Sequence, residues 1–344
     1  MRRRLFVAWI VCSAISASAQ VRRDSTQLVF WAFGDVNLGR SVGKELLKGN
    51  VDYPFEHVRD SLRTADVVFV NLESQLSDQG GETQNPKDVY AFCGPPEGAL
   101  SLRKANISVV STANNHAYDY GMRGLRETIE SLQKEDVQFT GTSQDSVGKF
   151  PPVFIEKNGI RLGILSYTEF VNRKGGWQGR ISVFDRKRAR LELAAARKFS
   201  DIVIASYHGG SEYTDEPNKF TQAQIRFLAD AGADIVLGHH PHVPQGIEQR
   251  NGSIILYSLG NFVFFQPQHY WTQTGIGVEF VFTKRDSTVG VTSIRLLPVR
   301  AGKQPRFELS DAERTQLCER LQQYSNVTLQ PMATSFQVVV PQRD

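Results

Sequence analysis

The sequence has few cysteines and, beyond its N-terminal segment, no long apolar run. Of three cysteines in 344 residues, Cys12 lies in that segment, which leaves Cys93 and Cys318. Two cysteines cannot build a disulfide framework and lack the spacing of a zinc site, although one long-range bridge between them remains open. No later stretch is long and apolar enough to predict a membrane span.

The chain also has little net charge and no low-complexity tract. Its 40 lysines and arginines exceed its 36 acidic residues by only four. Arg2, Arg3 and Arg4 supply three of these charges, so the rest of the chain is near neutral. A nearly neutral surface gives no electrostatic reason to expect a nucleic-acid partner or binding to an anionic membrane.

The N-terminal segment has the pattern of a secretory signal. Three arginines precede an apolar run over 5–15, and Ala17-Ser18-Ala19 offers small residues for cleavage before Gln20. We therefore predict a signal peptide at 1–19 and export to the periplasm or cell surface. The alternative is an uncleaved signal that anchors the protein, but the apolar run is short for a span. Otherwise only peripheral membrane contact is expected.

The rest of the chain alternates short apolar runs with amphipathic stretches, which predicts a layered α/β fold. The runs lack polar alternation, as expected for strands buried on both faces. Predicted strands lie at 28–32, 67–70, 107–112, 202–206 and 235–238, and predicted helices at 54–62, 121–134, 185–199 and 220–231.

Two hairpins indicate that the sheets are mixed. Asn158-Gly159 and Asn251-Gly252 each separate two apolar runs by two residues, the signature of a tight hairpin turn. Alternating strands are predicted at 277–283 and 291–297, a polar loop at 74–88 and a terminal helix at 311–324. We expect one large domain over 20–300, with the C-terminal helix and tail at 301–344 packed on it.

Polar clusters follow nearly every predicted strand, at the point where the strand ends. In open α/β sheets ligands bind beyond the carboxyl ends of the strands, so these clusters should converge in one crevice. The clusters are Gly34-Asp35-Val36-Asn37, Asn71-Leu72-Glu73, Asn114-Asn115-His116, His208-Gly209-Gly210-Ser211-Glu212, His239-His240-Pro241-His242 and Ser258-Leu259-Gly260-Asn261.

The residue types in these clusters suit divalent metals. Carboxylate, amide oxygen and imidazole together are ligands for Mn²⁺, Zn²⁺ or Fe²⁺, and no thiolate is among them. Two such ions about 3.5–4 Å apart clamp the oxygens of a phosphoryl displacement. Taken alone, His208 is typical of a hydrogen-bonded structural histidine and Glu212 of a solvated acid. Their joint occurrence with the other clusters favours a metal site.

In this order the clusters resemble the motif series of the CapA capsule-synthesis family, which is associated with poly-γ-glutamate. The resemblance covers about residues 28–300, and six motifs in order are specific although each is weak alone. It implies the layered α/β fold of the calcineurin-type metallophosphoesterases, with mixed β-sheets flanked by helices. It also implies an anionic polymer, or a substrate bearing phosphate or carboxylate, and other capsule-synthesis proteins as partners.

The resemblance further implies roles for individual residues, carried over by position. His116 and Glu212 are the predicted catalytic residues. The predicted ligands of two divalent ions are Asp35, Asn37, Glu73, Asn115, His208, His240 and His242. Two of these depart from the phosphoesterase pattern, which has a histidine at the position of Asn37 and an aspartate at that of Glu73.

Two functions from different classes follow. The first is metal-dependent hydrolysis or transfer at a phosphate ester or an amide, with His116 as acid or base. The second is a non-catalytic envelope scaffold that binds or exports an anionic polymer through a degenerate metal site. A glycosidase using Glu73 and Glu212 is less favoured, because two carboxylates would not explain the histidines.

Overall fold

The computed structural model describes residues 26–340. The predicted signal peptide and its cleavage site before Gln20 lie outside the described residues. The strands are β1 (Thr26–Val36), β2 (Val67–Leu72), β3 (Gln75–Leu76), β4 (Cys93–Gly94), β5 (Val109–Ser111), β6 (Gln138–Thr140), β7 (Val153–Lys157), β8 (Ile160–Thr168), β9 (Ile202–His208), β10 (Ile235–His239), β11 (Ile247–Arg250), β12 (Ser253–Leu256), β13 (Asn261–Val263), β14 (Thr274–Arg285), β15 (Thr288–Arg300), β16 (Thr328–Pro331) and β17 (Phe336–Val339). The helices are α1 (Arg40–Leu47), α2 (Arg59–Leu62), α3 (Glu97–Lys104), α4 (Gly121–Lys134), α5 (Arg186–Arg197), α6 (Lys219–Asp230) and α7 (Asp311–Gln323).

Most of the strands form two mixed sheets. The larger has nine strands in the order β16-β17-β15-β14-β1-β2-β5-β6, with β13 also paired to β1. Its β1, β2, β5 and β6 are parallel, whereas β14 is antiparallel to β1. The smaller sheet has the order β11-β12-β10-β9-β8-β7, and β8, β9, β10 and β12 are parallel. The mixed sheets predicted from the sequence are confirmed.

The two sheets pack face to face and helices cover their outer faces. Leu28, Phe30 and Ala32 of β1 point into a core shared with the second sheet. Trp31 and Phe33, which alternate with them, point to the helix-covered side. On the outer face of the second sheet, buried residues of α5 and α6 pack against β9 and β10. Because both faces of the central strands are buried, their sequences are continuously apolar.

Both predicted hairpins are confirmed. Asn158 and Gly159 join β7 to β8 with φ of 54° and 66°, and Asn251 and Gly252 join β11 to β12 with φ of 51° and 91°. Two consecutive residues at positive φ are what a type I′ turn requires, and asparagine and glycine adopt that region most readily. The dipeptide therefore fixes the register of each hairpin.

Some elements differ from the sequence predictions. The amphipathic stretch at 54–62 is a 3₁₀ turn at Tyr53–Phe55 followed by the single turn α2, because Pro54 cannot donate a backbone hydrogen bond. The polar segment at 74–88 is not only a loop, since β3 lies within it and pairs with β4. Helices α1 and α3 and strand β6 were not predicted, because each is short and its apolar pattern is weak.

The C-terminal segment completes the larger sheet and part of the core. Ser310 and Glu313 form a capping box at the start of α7. Leu317 and Leu321 of α7 are buried in the core between the sheets, and β17 pairs with β15. No helix within residues 26–340 is long and apolar enough to cross a membrane.

The two cysteines do not form a disulfide. Cys93 is buried and Cys318 is partly buried, and both are free thiols. Burial raises the pKa of the Cys93 thiol to about 12, so this residue is an inert part of the core.

Candidate metal centre

The carboxyl ends of the parallel strands of both sheets meet at one end of the molecule. Asp35 ends β1 beside Asn71 of β2, and His208 ends β9 beside His239 of β10. The amide nitrogen of Asn71 lies 2.8 Å from Oδ1 of Asp35 and 3.1 Å from Nδ1 of His208, so it bridges the two sheets. The convergence expected from the strand-end clusters is therefore present.

Close backbone packing places Asp35 at this point. The backbone nitrogen of Asp35 donates to the carbonyl oxygen of Gly260 at 3.0 Å. A Cβ atom on Gly34 would lie 1.7 Å from that same oxygen, which no side chain can accommodate. Gly34 is required here because the strand end of β1 and the loop before β13 touch through their backbones.

Glu73 lies at the centre of the cluster, directly after β2. Its Oε1 is 3.6 Å from Nε2 of His208, 3.8 Å from Nε2 of His242 and 3.9 Å from Nε2 of His116. The side chain is fully buried, yet neither carboxylate oxygen has a hydrogen-bond partner. A buried carboxylate without a partner is unfavourable unless a cation compensates it, so this environment fits a bound metal.

Two groups of potential ligands share Glu73. We name the first the imidazole cluster, made of Glu73, His208 and His240, and the second the aspartate cluster, made of Asp35, Glu73 and His242. In each cluster the ligand atoms lie within 4.8 Å of one another and all three residues are buried. Oxygen and imidazole nitrogen are the donors that borderline divalent metals prefer. The arrangement therefore fits two adjacent ions with Glu73 between them.

Asn115 adds an oxygen to the imidazole cluster. Its Oδ1 lies 2.8 Å from Nε2 of His208, which itself faces Glu73. This contact is a hydrogen bond; two tetrahedral ligand atoms about 2.0–2.2 Å from a zinc-sized ion lie about 3.3–3.6 Å apart, so the two atoms would separate slightly to share an ion. The predicted ligands Asn115, His208, His240 and Glu73 thus surround one point.

The protonation states fit metal binding at the histidines. Burial lowers the pKa of His208 well below its usual value, and the neighbouring His240 lowers it further. Burial likewise lowers the pKa of His240 to about 3, with a further contribution from His242. Both imidazoles are therefore neutral near pH 7, which is the form that binds metal.

The pKa values of the two buried carboxylates, Asp35 and Glu73, are shifted in opposite directions. Burial alone would raise the pKa of Asp35, but the imidazoles of His239 and His242, whose Nδ1 atoms lie 3.4 and 3.3 Å from its carboxylate oxygens, hold it well below its usual value. Burial raises the pKa of Glu73 far above its usual range, and the negative charge of Asp35 adds to this. The imidazoles beside Asp35 thus favour its charged form, whereas the neighbouring carboxylates disfavour the charged form of Glu73.

The backbone at the two predicted ligand histidines is in an unusual conformation. His240 and His242 have φ of 96° and 60°, in the left-handed region that side chains other than glycine rarely adopt. Nδ1 of His242 also lies 2.9 Å from Oδ1 of Asn261, which orients the ring. Such strain persists where the surrounding structure holds it in place, and it concentrates at functional sites.

His116 is held beside the clusters by an acidic partner. Its Nδ1 lies 2.7 Å from Oδ2 of Asp119, and its ring stacks on Phe92 with centroids 4.0 Å apart. With Nδ1 occupied, Nε2 faces Glu73. Sequence reasoning missed Asp119, although its position three residues after His116 places both on one turn.

Two other predicted site residues, Asn37 and Glu212, do not belong to either cluster. Asn37 is buried next to Asp35, but its Oδ1 accepts a hydrogen bond of 2.8 Å from the backbone nitrogen of Gly39. The oxygen that would bind an ion is therefore already in use. Glu212 is exposed and lies at the wall of the cavity in front of the clusters rather than among the ligands. The roles of both stay predictions.

A cavity of about 470 Å³ opens in front of the two clusters. Its walls carry five of the nine predicted site residues and several polar side chains that sequence reasoning did not single out. The lining comes from the start of α1 and from loops: Arg40, Asp88, Tyr90, Phe92, Asn115, His116, Asp119, Phe170, Asn172, Arg173, Glu212, Tyr213, His240, His242, Gln266 and Gln268. The cavity is the access route to both clusters.

Comparison with known proteins identifies the family. The family model described as "Bacterial capsule synthesis protein PGA_cap" matches residues 29–266, which include every predicted ligand. The chain belongs to the PGA_cap family. The resemblance to capsule-synthesis proteins is therefore confirmed, and this PGA_cap chain is related to accessory proteins of capsule and poly-glutamate synthesis.

Two curated relatives support the same assignment. The chain is 34% identical over 246 residues to the "PGA biosynthesis protein CapA" of Bacillus subtilis, which covers 70% of this PGA_cap chain and 63% of that protein. It is 29% identical over 290 residues to the "Capsule biosynthesis protein CapA" of Bacillus anthracis, covering 81% and 69%. The match thus spans less than two thirds of the Bacillus subtilis protein.

Among solved structures, one phosphoesterase superposes on this PGA_cap chain. It is the calcineurin-like phosphoesterase YfkN from Bacillus subtilis, with a TM-score of 0.49 and 15% sequence identity. The superposition covers 80% of this chain and 90% of that one.

Proposed function

We propose that this chain is an exported, metal-dependent hydrolase or transferase that acts on an anionic polymer in capsule or poly-γ-glutamate synthesis. The observation that carries the proposal is Glu73, a fully buried carboxylate with no hydrogen-bond partner that two ligand clusters share. A shared carboxylate between two sets of nitrogen and oxygen donors is suited to a pair of divalent ions, with Mn²⁺, Zn²⁺ and Fe²⁺ as candidates.

The protein residues around the clusters define the chemistry. Divalent ions held there would polarise the bond to be broken and lower the pKa of the attacking water. His116, with Nδ1 fixed by Asp119, can give a proton from Nε2 to a leaving oxygen or nitrogen, or accept one from a nucleophile. Asp119 orients the ring, and its own Oδ2 accepts a hydrogen bond of 2.8 Å from the backbone nitrogen of Phe92.

Export is part of the proposal and rests on the N-terminal pattern. Arg2–Arg4, the apolar run and Ala17-Ser18-Ala19 support a mature protein that begins at Gln20 outside the cytoplasm. N-terminal sequencing of the protein recovered from the cell envelope tests this. Recovery of the full-length chain from the cytosol would contradict it.

One observation favours a second function, a polymer-binding scaffold without catalysis. Asn37 stands where the phosphoesterase pattern has a histidine, and its oxygen is engaged by Gly39. The aspartate cluster therefore lacks the imidazole nitrogen that the phosphoesterase pattern places at this position. A chain that holds only one ion would bind carboxylates of a polymer there without the second ion needed to clamp a displacement.

Metal content and turnover together test the proposal. The purified chain is stripped with chelator, reloaded with Mn²⁺, Zn²⁺ or Fe²⁺, and assayed for bound metal and for hydrolysis of a generic phosphodiester and of γ-linked glutamate oligomers. The proposed hydrolase requires two ions per chain and turnover that appears only after reloading. One ion per chain and no turnover on either substrate would instead favour the scaffold.

A further inference from the structure

Arg40 is the first residue of α1, five residues after Asp35, and its backbone is held in a left-handed conformation. Its φ is 52°, a region that costs energy for any residue with a branched or long side chain. Two bonds to Thr83 maintain it: the backbone nitrogen of Arg40 donates to the carbonyl oxygen of Thr83 at 2.7 Å, and Oγ1 of Thr83 donates to the carbonyl of Arg40 at 2.9 Å. This anchoring directs the side chain to the cavity wall.

The guanidinium of Arg40 lacks an acidic partner. Its Cζ lies 4.5 Å from the centroid of the Phe92 ring, and Nη2 donates to the carbonyl oxygen of Val89 at 3.2 Å. Nε is buried without a hydrogen-bond partner, and no carboxylate of residues 26–340 forms an ion pair with this side chain. Burial lowers the pKa of Arg40, but arginine stays charged in proteins.

The second arginine of the cavity is already engaged. Nε and Nη2 of Arg173 donate to the carbonyl oxygen of Asp119 at 3.0 and 2.6 Å, and Nη1 lies 3.7 Å from Oδ2 of Asp88. Arg173 therefore braces the loop that carries the partner of His116. Of the two arginines on the wall, Arg40 has donors available for a ligand.

Arg40 also lies close to His116, the proposed acid or base. The Phe92 ring on which its guanidinium packs is the ring on which His116 stacks, so Phe92 holds both side chains at one wall. An anion bound by Arg40 would thus lie within the same small cavity as Nε2 of His116. A guanidinium fork matches the geometry of carboxylate and phosphate and binds either with two parallel hydrogen bonds.

We infer that Arg40 is the specificity-determining residue of this cavity and binds an oxyanion of the substrate, a carboxylate or a phosphate, next to the bond presented to His116. The inference rests on the proposed function, because it names what the same site recognises. An acidic polymer meets this requirement at every repeat, since an anionic group accompanies each backbone linkage.

Binding to the metal-loaded full chain tests the inference. Titration calorimetry would measure the Kd for a short γ-linked glutamate oligomer and, separately, for inorganic phosphate. The test variant is Arg40→Asn, because asparagine tolerates a left-handed backbone. We expect it to weaken binding of at least one probe roughly tenfold or more, as expected for loss of a charge-assisted hydrogen bond, with unchanged metal content and Tm. Which probe is weakened distinguishes a carboxylate from a phosphate.

Two further variants complete the design. Arg40→Lys keeps the charge but not the fork and should recover part of the affinity. Lys44→Gln, an exposed position of α1, makes the same change of charge and should keep the wild-type Kd. Wild-type affinity in Arg40→Asn for both probes, or no binding of either probe by the wild type, would overturn the inference. Binding through Arg40 without turnover would support it and contradict the proposed hydrolase.

Discussion

The imidazole cluster and the aspartate cluster share Glu73 but differ in the charge of their other candidate ligands. The imidazole cluster has two neutral histidines, and the amide oxygen of Asn115 accepts a hydrogen bond from one of them, His208. The aspartate cluster has Asp35 and His242, and the adjacent Asn37 uses its oxygen on the backbone of Gly39. One cluster is therefore rich in neutral donors, whereas the other relies on negative charge. The difference predicts two ions of unequal affinity.

The comparison also predicts that Glu73 matters more than any other candidate ligand. Asp35 keeps its charge through His239 and His242 even in the absence of metal, because these rings hold its pKa low. Glu73 has no such partner, and its pKa is raised. The protein therefore tolerates Asp35 without metal but carries Glu73 at an energetic cost that bound cations relieve.

The largest effect is expected from Glu73→Gln, which removes the carboxylate that both clusters share. Both ions should be lost and turnover should fall to background, as measured by metal analysis and assay of the reloaded protein. The metal-free variant should be about as thermostable as the metal-free wild type, because burial and the charge of Asp35 favour the neutral form of Glu73, which the amide resembles in shape and charge. Glu130→Gln, at an exposed position of α4, is the control. Two ions retained in Glu73→Gln would show that Glu73 is not shared.

Alanine at the cluster histidines separates the two ions. His208→Ala or His240→Ala should lose the ion of the imidazole cluster, and His242→Ala the ion of the aspartate cluster, each leaving about one ion per chain. In the wild type, stepwise chelation should remove the aspartate-cluster ion first, so His242→Ala should show only the second, tighter step. Equal loss of both ions in every variant would mean that the clusters do not act separately.

His116→Ala is expected to act on turnover and not on metal. His116 is fixed by Asp119 and is not part of either cluster, so both ions and the fold should be retained. Removing a positioned acid or base typically costs about 10²–10⁴-fold in rate. His57→Ala, an exposed histidine paired with Arg306, is the matched control. If His116 only braces its loop, the variant would lower Tm and leave turnover per folded molecule unchanged.

The smallest effect is expected from Asn37→His, which adds an imidazole beside the aspartate cluster. If the weaker ion is limited by missing donors, the variant should hold it more tightly, by roughly tenfold or less in chelator competition. The affinity of the imidazole cluster should not change. Asn50→His, at an exposed position after the end of α1, controls for adventitious binding by a new histidine. An unchanged second ion would mean that charge, not donor number, sets its affinity.

Much of the site could be predicted because strand ends are visible in the sequence. A buried strand is a continuous apolar run, so the first polar residue after it, such as Asp35 or His208, marks the sheet edge. The roles of these residues depend on contacts between sheets that no local pattern contains. Asn71 belonged to a recognised cluster, yet its bond to His208 appears only when both sheets are in place.

The positions of Arg40 and Glu212 could not be predicted from local sequence patterns, for two different reasons. Arg40 follows a glycine in a short helix that the sequence did not predict, and its exposure to the cavity depends on packing against Phe92. Glu212 was grouped with His208 by its distance in sequence, but a loop carries it to the cavity wall. Sequence proximity thus predicts a shared strand end and not a shared ligand sphere.

The pairing of β14 with β1 has a consequence for the boundaries of the folding unit. The segment that matches the family ends at residue 266, but Thr26–Ala32 of β1 pairs with β14, which begins at Thr274. A chain shortened at 266 would leave β1 with an open hydrogen-bonding edge and would uncover core residues that α7 shields. Open edges of this kind recruit strands from other molecules. The recognisable family segment should therefore aggregate when produced alone, and the unit that can be expressed extends at least through β17.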